Sequence, residues 1–216
     1  MDARPGEAAA ALRGRAGATI VAANLVTLAM ALYLRWPVSS LLWPYWVQSV
    51  VIGFFARRRI LALQRFSTEG FTVNDQAVLP TVETQRSTAN FFALHYGGFH
   101  LGYAVFLLIM APPAWRDLPW LAVALASFAY GHRRSFEEHV ARDLAGTPNI
   151  GTLMFMPYVR IVPMHLIIIL GSVWMEKAEG GVLVGFVALK IVGDLLMHHV
   201  EHRTFEKGGL RISVKR

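Results

Sequence analysis

Residues 90–111 read NFFALHYGGFHLGYAVFLLIMA and contain no lysine, arginine, aspartate or glutamate. A helix needs roughly 20 predominantly apolar residues to cross the hydrocarbon core of a bilayer. The stretch therefore predicts a transmembrane helix, which begins near Ser87 or Asn90 and ends at Ala111. Ionisable side chains are costly in a bilayer and usually face the interior of a helix bundle. His95 and His100 are thus candidate functional residues.

Five further apolar segments surround this one. Together they predict an all-α integral membrane protein, a bundle of about six transmembrane helices. The composition agrees, because 55 % of residues are apolar and only 16 % are charged, against about 25 % charged in soluble domains. The segments lie at residues 17–34, 38–56, 118–130, 152–174 and 181–202, and the segment at 118–130 is expected to continue as a polar helix to His139.

The arginines and lysines predict the orientation of the chain. Sixteen of the 21 would lie on the side of the amino terminus, three (Arg35, Arg116 and Lys177) on the other, and two (Arg160 and Lys190) within spans. Because basic residues accumulate on the cytoplasmic side, both termini are predicted to be cytoplasmic. The domains are then a polar amino-terminal segment at 1–16, a transmembrane domain at 17–202 with a cytoplasmic loop at 63–86, and a basic tail at 203–216. The loop is expected to be an ordinary amphipathic connector rather than a lid.

Two features of the composition exclude classes of function. The chain has no cysteine, which excludes disulfide scaffolds, thiolate zinc sites, iron–sulfur clusters and a cysteine nucleophile. The net charge is +7, but apolar runs separate the basic residues and no continuous basic stripe forms. We therefore expect the charge to orient the protein in a membrane and expect no nucleic-acid partner.

Seven of the eight histidines fall at one predicted depth, in or just below the cytoplasmic leaflet, although they come from three separate spans. Imidazoles grouped in this way serve metals, proton paths or haem. The exception is His165, nearer the middle of its span. The seven are His95, His100, His132, His139, His198, His199 and His202.

The last span carries the densest group. His198 and His202 are four residues apart, so both imidazoles can bind one ion from the same helix face. Asp194, one turn earlier, is a third candidate ligand or an orienting partner of His198. Glu201 is a candidate ligand or general base, whereas His199 points about 100° away from His198. The alternative is a basic amphipathic helix end in the headgroup region.

The other candidate ligands lie on two more spans. His132 and His139 are seven residues apart and share a face, with Glu138 as a candidate ligand or base. The alternative is a solvated helix end. Both His95 and His100 are candidate ligands, but they lie about 140° apart and cannot bind one ion from a straight helix. One arrangement makes His95 the ligand and holds His100 through tyrosine hydroxyls.

Two motifs, YWVQ (45–48) followed by GFF (53–55) and FFALHYGGFH (91–100), resemble those of an uncharacterised prokaryotic family of integral membrane proteins. This resemblance implies a multi-pass protein of the prokaryotic inner membrane and no particular activity. The spacings of His95 with His100, and of His198 and His199 with His202, resemble two histidine boxes of membrane desaturases and hydroxylases, although the middle box is missing. The pair His198 and His202 on the last helix also resembles the zinc pair of ceramidase-like membrane hydrolases.

The favoured hypothesis is a membrane-embedded metalloenzyme with a di-metal site of histidines and carboxylates at the cytoplasmic side, which acts on a lipid or another hydrophobic substrate. A thiolate-free histidine set suits iron or zinc, with oxidation or hydroxylation expected for iron and hydrolysis for zinc. The alternatives are a metal-ion or proton transporter and a haem-binding protein. The face of small residues at Gly98 and Gly102 also suggests a homodimer.

Overall fold

The computed structural model of the chain is mostly helical. It describes residues 25–26, 29, 32–33, 37, 39–174, 184–185, 187–189, 191–192 and 212–214. Four long helices are described: α1 (Ser39–Ala62), α2 (Val82–Met110), α3 (Leu118–Ala145) and α4 (Ile150–Trp174), with a 3₁₀ turn at Trp115–Asp117 before α3. Described residues between 25 and 33 and between 184 and 192 are also helical. The helices predicted at 38–56, 90–111, 118–139 and 152–174 are confirmed as helices. The first and sixth predicted spans lie mostly outside the described residues.

Both α1 and α2 are longer than predicted. The expectation that α1 stops before Arg57 is wrong, because the helix continues to Ala62. Gln85 of α2 explains where it ends: its side-chain amide donates to the carbonyls of Ile60 and Leu63, both at 2.8 Å, and so satisfies carbonyls that a helix end leaves unpaired. The start of α2 is defined by Thr81, whose hydroxyl accepts a 3.2 Å bond from the Thr84 amide.

Side-chain contacts show the direction of the helices. Along α1, Trp43 donates to the carbonyl of Ala111 and Arg57 to Asn90, so α1 and α2 are antiparallel. Phe55 of α1 contacts Phe136, and Arg59 contacts Asp143 further along α3, which makes α1 and α3 parallel. The end of α1, the start of α2, the end of α3 and the start of α4 consequently meet at one end of the molecule. We call residues 57–86 and 142–153, with 212–214, the loop end.

A small sheet lies at the loop end and was not predicted from the sequence. Strands β1 (Phe71–Val73) and β2 (Gln76–Ala77) form an antiparallel hairpin. Its turn residues Asn74 and Asp75 have φ values of 52° and 61°, which two-residue type I′ turns require and Asn and Asp tolerate. Strand β3 (Ile212–Val214) pairs with β1 in parallel. The expectation of a plain connector at 63–86 missed this hairpin, since a strand of three residues leaves almost no periodic pattern.

The core forms where α1, α2 and α4 meet and includes Leu42, Phe92, Leu107 and Leu153. Gly53 allows the closest approach of α1 to α2, because a Cβ at this position would overlap the Tyr96 ring. Among the described residues, α2 is the one helix long and apolar enough to cross a membrane, with a mean hydropathy of 1.4 over its best window.

Candidate functional site

Two histidine–tyrosine pairs join α2 to α4, and each helix supplies one histidine and one tyrosine. His95 Nδ1 lies 3.0 Å from the Tyr158 hydroxyl, and His165 Nδ1 lies 2.8 Å from the Tyr103 hydroxyl. Their order along the chain shows that α2 and α4 run parallel. Eight residues separate His95 from Tyr103, so the pairs lie at two levels about 12 Å apart along α2. Both histidines are exposed.

Phe99 connects the two levels. Its ring meets His95 edge to face at 4.9 Å between centroids and His165 edge to face at 6.1 Å. Phe91 stacks on the other side of His95 at 5.2 Å. Aromatic rings thus hold both imidazoles, and each ring is also oriented through Nδ1. An imidazole whose Nδ1–H donates to an oxygen presents Nε2 as an acceptor, the form that binds metals and accepts protons.

His100 has different surroundings from His95 and His165. It is 4 % exposed, and its Nδ1–H donates to the carbonyl of Tyr96 at 2.9 Å. The ring stacks on Tyr96 at 4.2 Å and meets Tyr103 edge to face at 5.7 Å. The expected arrangement, with His100 held by tyrosine hydroxyls, is wrong: the hydroxyls of Tyr158 and Tyr103 pair with His95 and His165 across the contact of α2 with α4. The Tyr96 hydroxyl instead donates to the carbonyl of Ser49 on α1.

The candidate residues of α3 lie against α1. The rings of His132 and Phe55 of α1 stack with 6.5 Å between their centroids. His139 lies seven residues further along α3, on the same face, and is half-buried. Glu138 is exposed and pairs with Arg134 at 3.8 Å within the helix. The level of His132 resembles that of His95, since their respective neighbours Phe55 and Tyr96 lie near Gly53 of α1. The two histidines therefore lie at similar heights along α1. However, His132 contacts Phe55 of α1, whereas His95 contacts Tyr158 of α4.

In the part of the chain that the structure describes, no three histidine, aspartate or glutamate side chains come close enough to hold a metal ion. Asp194, His198, Glu201 and His202 lie outside the described residues, as does His199. The metal-site hypothesis depends on them and stays a prediction. Within the described residues, His95 and His165 share the geometry that suits an external ligand, since each is exposed and is oriented through Nδ1.

Polar contacts at the loop end show what the three consecutive arginines of α1 do. Arg59 binds Asp143 with two hydrogen bonds, of 2.5 Å and 2.8 Å, and Asp143 is buried. Arg57 donates to Asn90 of α2 at 3.2 Å. Arg58 lies over the ring of Phe136 of α3 at 5.5 Å. These three side chains join α1 to the helices on either side of it.

The tyrosine partners were not identified from the sequence, although a pattern was present. Tyr103 follows His95 by eight residues, and His165 follows Tyr158 by seven. Both intervals place two side chains on one helix face at successive levels. The histidine comes first on α2, and the tyrosine comes first on α4. When two such faces pack against each other in parallel helices, each histidine lies opposite a tyrosine. Only the direction and rotation of α4 show that these two faces meet.

The chain matches, over residues 7–209, the family described as "Family of unknown function (DUF6498)", and it belongs to that family. This agrees with the expectation of an uncharacterised family. No curated protein and no solved structure matches the chain. The function is therefore argued from the residues themselves.

Proposed function

We propose that this member of the family is an integral membrane protein of about six transmembrane helices that binds a transition metal near its cytoplasmic side. In this proposal it acts as a metalloenzyme on a lipid or another hydrophobic substrate in the prokaryotic inner membrane. Both termini are cytoplasmic. The observation that carries the proposal is the oriented, exposed imidazole of His95.

Exposed apolar side chains on α2 support insertion into a membrane. Leu94, Leu101 and Ile109 are 81 %, 69 % and 72 % exposed, which in water would be a large unfavourable apolar surface. In lipid the same surface is compatible with its surroundings. The loop end carries Arg65, Arg86 and Arg142, all exposed, as expected of the cytoplasmic side.

The geometry of His95 supports a metal. Tyr158 and the rings of Phe91 and Phe99 hold its imidazole in one orientation. Metal-binding histidines are typically oriented in this way, by a hydrogen bond at the nitrogen that does not bind the ion. In the tautomer in which Nδ1–H donates to the Tyr158 oxygen, Nε2 of this exposed residue is the nitrogen that can bind a metal. His100 is left out of the proposed ligand set because its ring is buried in the contact with α1.

The remaining ligands are proposed from the sequence. His198 and His202 form a pair on one helix face, with Asp194 one turn before them, and His132 and His139 complete the set if two metals bind. Glu138 and Glu201 are the proposed general acids or bases. With iron the bound metal supplies oxidation of a lipid chain, and with zinc it supplies hydrolysis of an ester or amide.

Elemental analysis of the protein purified in detergent tests this proposal. We expect one or two equivalents of iron or zinc per chain in the wild type. The double variant H198A/H202A should lose the metal, and H95A should reduce it. The matched control is H199A, on the same helix but on another face, which should keep the wild-type content. Metal content that is equal in all four proteins would overturn the proposal.

A second candidate function, proton or ion transport, is favoured by the two levels of His–Tyr pairs. Polar residues in one leaflet alone would argue against a path, but Tyr103 and His165 continue the polar groups of His95 and Tyr158 about 12 Å further along α2. Proteoliposomes that contain a pH-sensitive dye test this function. If the pairs conduct protons, acidification should slow in H95F/H165F and persist in H139F. If proteoliposomes with the wild-type protein acidify at the same rate as protein-free vesicles, proton transport is excluded.

A further inference from the structure

Two buried polar atoms in the contact of α1 with α2 have no hydrogen-bond partner among the described residues. They are the hydroxyl oxygen of Ser49 and Nε2 of His100. Ser49 is 1 % exposed and His100 is 4 % exposed. Folded proteins pair nearly all such atoms with protein groups or with ordered water. Two such atoms in one helix contact are therefore candidates for pairing with an ordered water molecule.

Both residues border the same side chain, Tyr96. The Tyr96 hydroxyl donates to the carbonyl of Ser49 at 2.9 Å, and the Tyr96 ring stacks on His100 at 4.2 Å. From α1, Trp46 donates to the carbonyl of His100 at 2.9 Å. Trp46 and Ser49 are one turn apart on α1, so their contacts with the His100 carbonyl and the Tyr96 hydroxyl bring Ser49 and His100 to neighbouring turns of the contact between α1 and α2.

The two atoms have complementary hydrogen-bonding chemistry. Because the Nδ1–H of His100 donates to the Tyr96 carbonyl, Nε2 of the neutral ring is an acceptor. The Ser49 hydroxyl is both donor and acceptor. A water molecule can donate to the imidazole and accept from the hydroxyl at once. A metal ion would need more ligands than one imidazole and one hydroxyl, and the surrounding rings of Trp46, Tyr96 and Tyr103 favour a ligand of one non-hydrogen atom.

We propose that one internal water molecule binds between α1 and α2, donating a hydrogen bond to His100 Nε2 and accepting one from the Ser49 hydroxyl. This site is independent of the metal and of proton transport. It keeps His100 in one tautomer and gives the buried imidazole an exchangeable partner. Tyr103, whose ring is 5.7 Å from that of His100 and whose hydroxyl lies 2.8 Å from His165 Nδ1, adjoins both this contact and the contact of α2 with α4.

The variant S49A distinguishes a contact that holds the water molecule from one that does not, because the Tm should change in a different direction in each case. In a dry contact, removal of an unpaired buried hydroxyl leaves the Tm unchanged or raises it. If the water is present, S49A deprives it of a partner and lowers the Tm by about 2–4 °C, as for the loss of one hydrogen bond in a chain of this size. Thermal unfolding in detergent measures this difference.

A double-mutant cycle tests whether the two residues share the ligand. The effects of S49A and H100F should be non-additive, because either substitution removes one end of the same bridge. S49A combined with H95F, which changes a histidine outside this contact, should be additive. An S49A variant with an unchanged or higher Tm, or additive effects of S49A and H100F, would overturn the proposal.

Should H100F fail to fold, nuclear magnetic resonance of histidine-labelled wild-type protein gives the answer directly. The expected result is an unprotonated Nε2 of His100 with magnetisation transfer from water, and loss of that transfer in S49A. A wild-type Nε2 without contact to water would contradict the proposed site.

Discussion

The loop end and the middle of α2 are both rich in polar side chains, but they use them differently. At the loop end, Asp143 binds a guanidinium and Gln85 binds backbone carbonyls of a neighbouring helix end. In the middle of α2, His95 binds a hydroxyl of α4 and remains exposed on its other side. The first kind of contact satisfies both partners and holds helices together. The second orients an imidazole without consuming both of its nitrogens, which is what a binding site requires.

The largest expected effect is at the loop end. Asp143→Ala leaves the guanidinium of Arg59 without its partner, and side-chain exposures of 17 % for Arg59 and 3 % for Asp143 show that water replaces it poorly. Breaking a buried pair from one side costs about 3–5 kcal/mol of unfolding free energy. Thermal or denaturant unfolding in detergent micelles measures the loss.

The control for this prediction is Glu137→Ala. Glu137 pairs with Arg133 on the same helix, but the two side chains are 64 % and 75 % exposed, so little change is expected. The double variant R59L/D143L should recover much of the lost stability, because it removes both charges together. Equal stability of D143A and E137A would show that the loop end is not held by this pair.

A smaller effect is expected from Gly53→Ala, which probes packing in the middle of α2. The added methyl group would overlap the Tyr96 ring, and overpacking of this kind costs about 1–3 kcal/mol. Gly98→Ala is the matched control, since a Cβ there meets no described atom within 4 Å and alanine favours a helix. Unfolding of the two variants should therefore shift in opposite directions. A G53A protein as stable as the wild type would refute the close contact of α1 with α2.

The smallest effect on stability, and the one that best separates the two regions, is expected from Tyr158→Phe. It removes one hydrogen bond, worth about 0.5–1.5 kcal/mol, and keeps the ring. If His95 binds a metal, loss of its orienting hydroxyl should lower metal affinity about 10- to 100-fold. Chelator titration with elemental analysis measures this. Tyr103→Phe is the control, because it removes the equivalent hydroxyl from His165. Unchanged affinity in Y158F would assign the pair a purely structural role.

How far the sequence predicts this protein depends on the range of the interaction concerned. Apolar runs predicted α2 and α4, and the polar continuation of α3 beyond Tyr130 followed from its helical pattern. The end of α1 was misplaced because Arg57 was taken as a boundary, whereas partners on α2 and α3 carry the helix further. His95 was recognised as a candidate from its type and place, but its partner Tyr158 was not.

By itself, the sequence determined the long helices, because helical periodicity and apolar length are properties of residues close together in the chain, and its composition without cysteine limited the chemistry. It placed His95 and His100 on different faces of one helix, which follows from 100° per residue. Only the tertiary structure decided which face meets which helix. The pairing of His95 with Tyr158, the burial of His100 against α1 and the bond from Arg59 to Asp143 depend on the rotation and direction of whole helices. Those are set by packing such as that of Tyr96 against Gly53, between residues that are far apart in the chain.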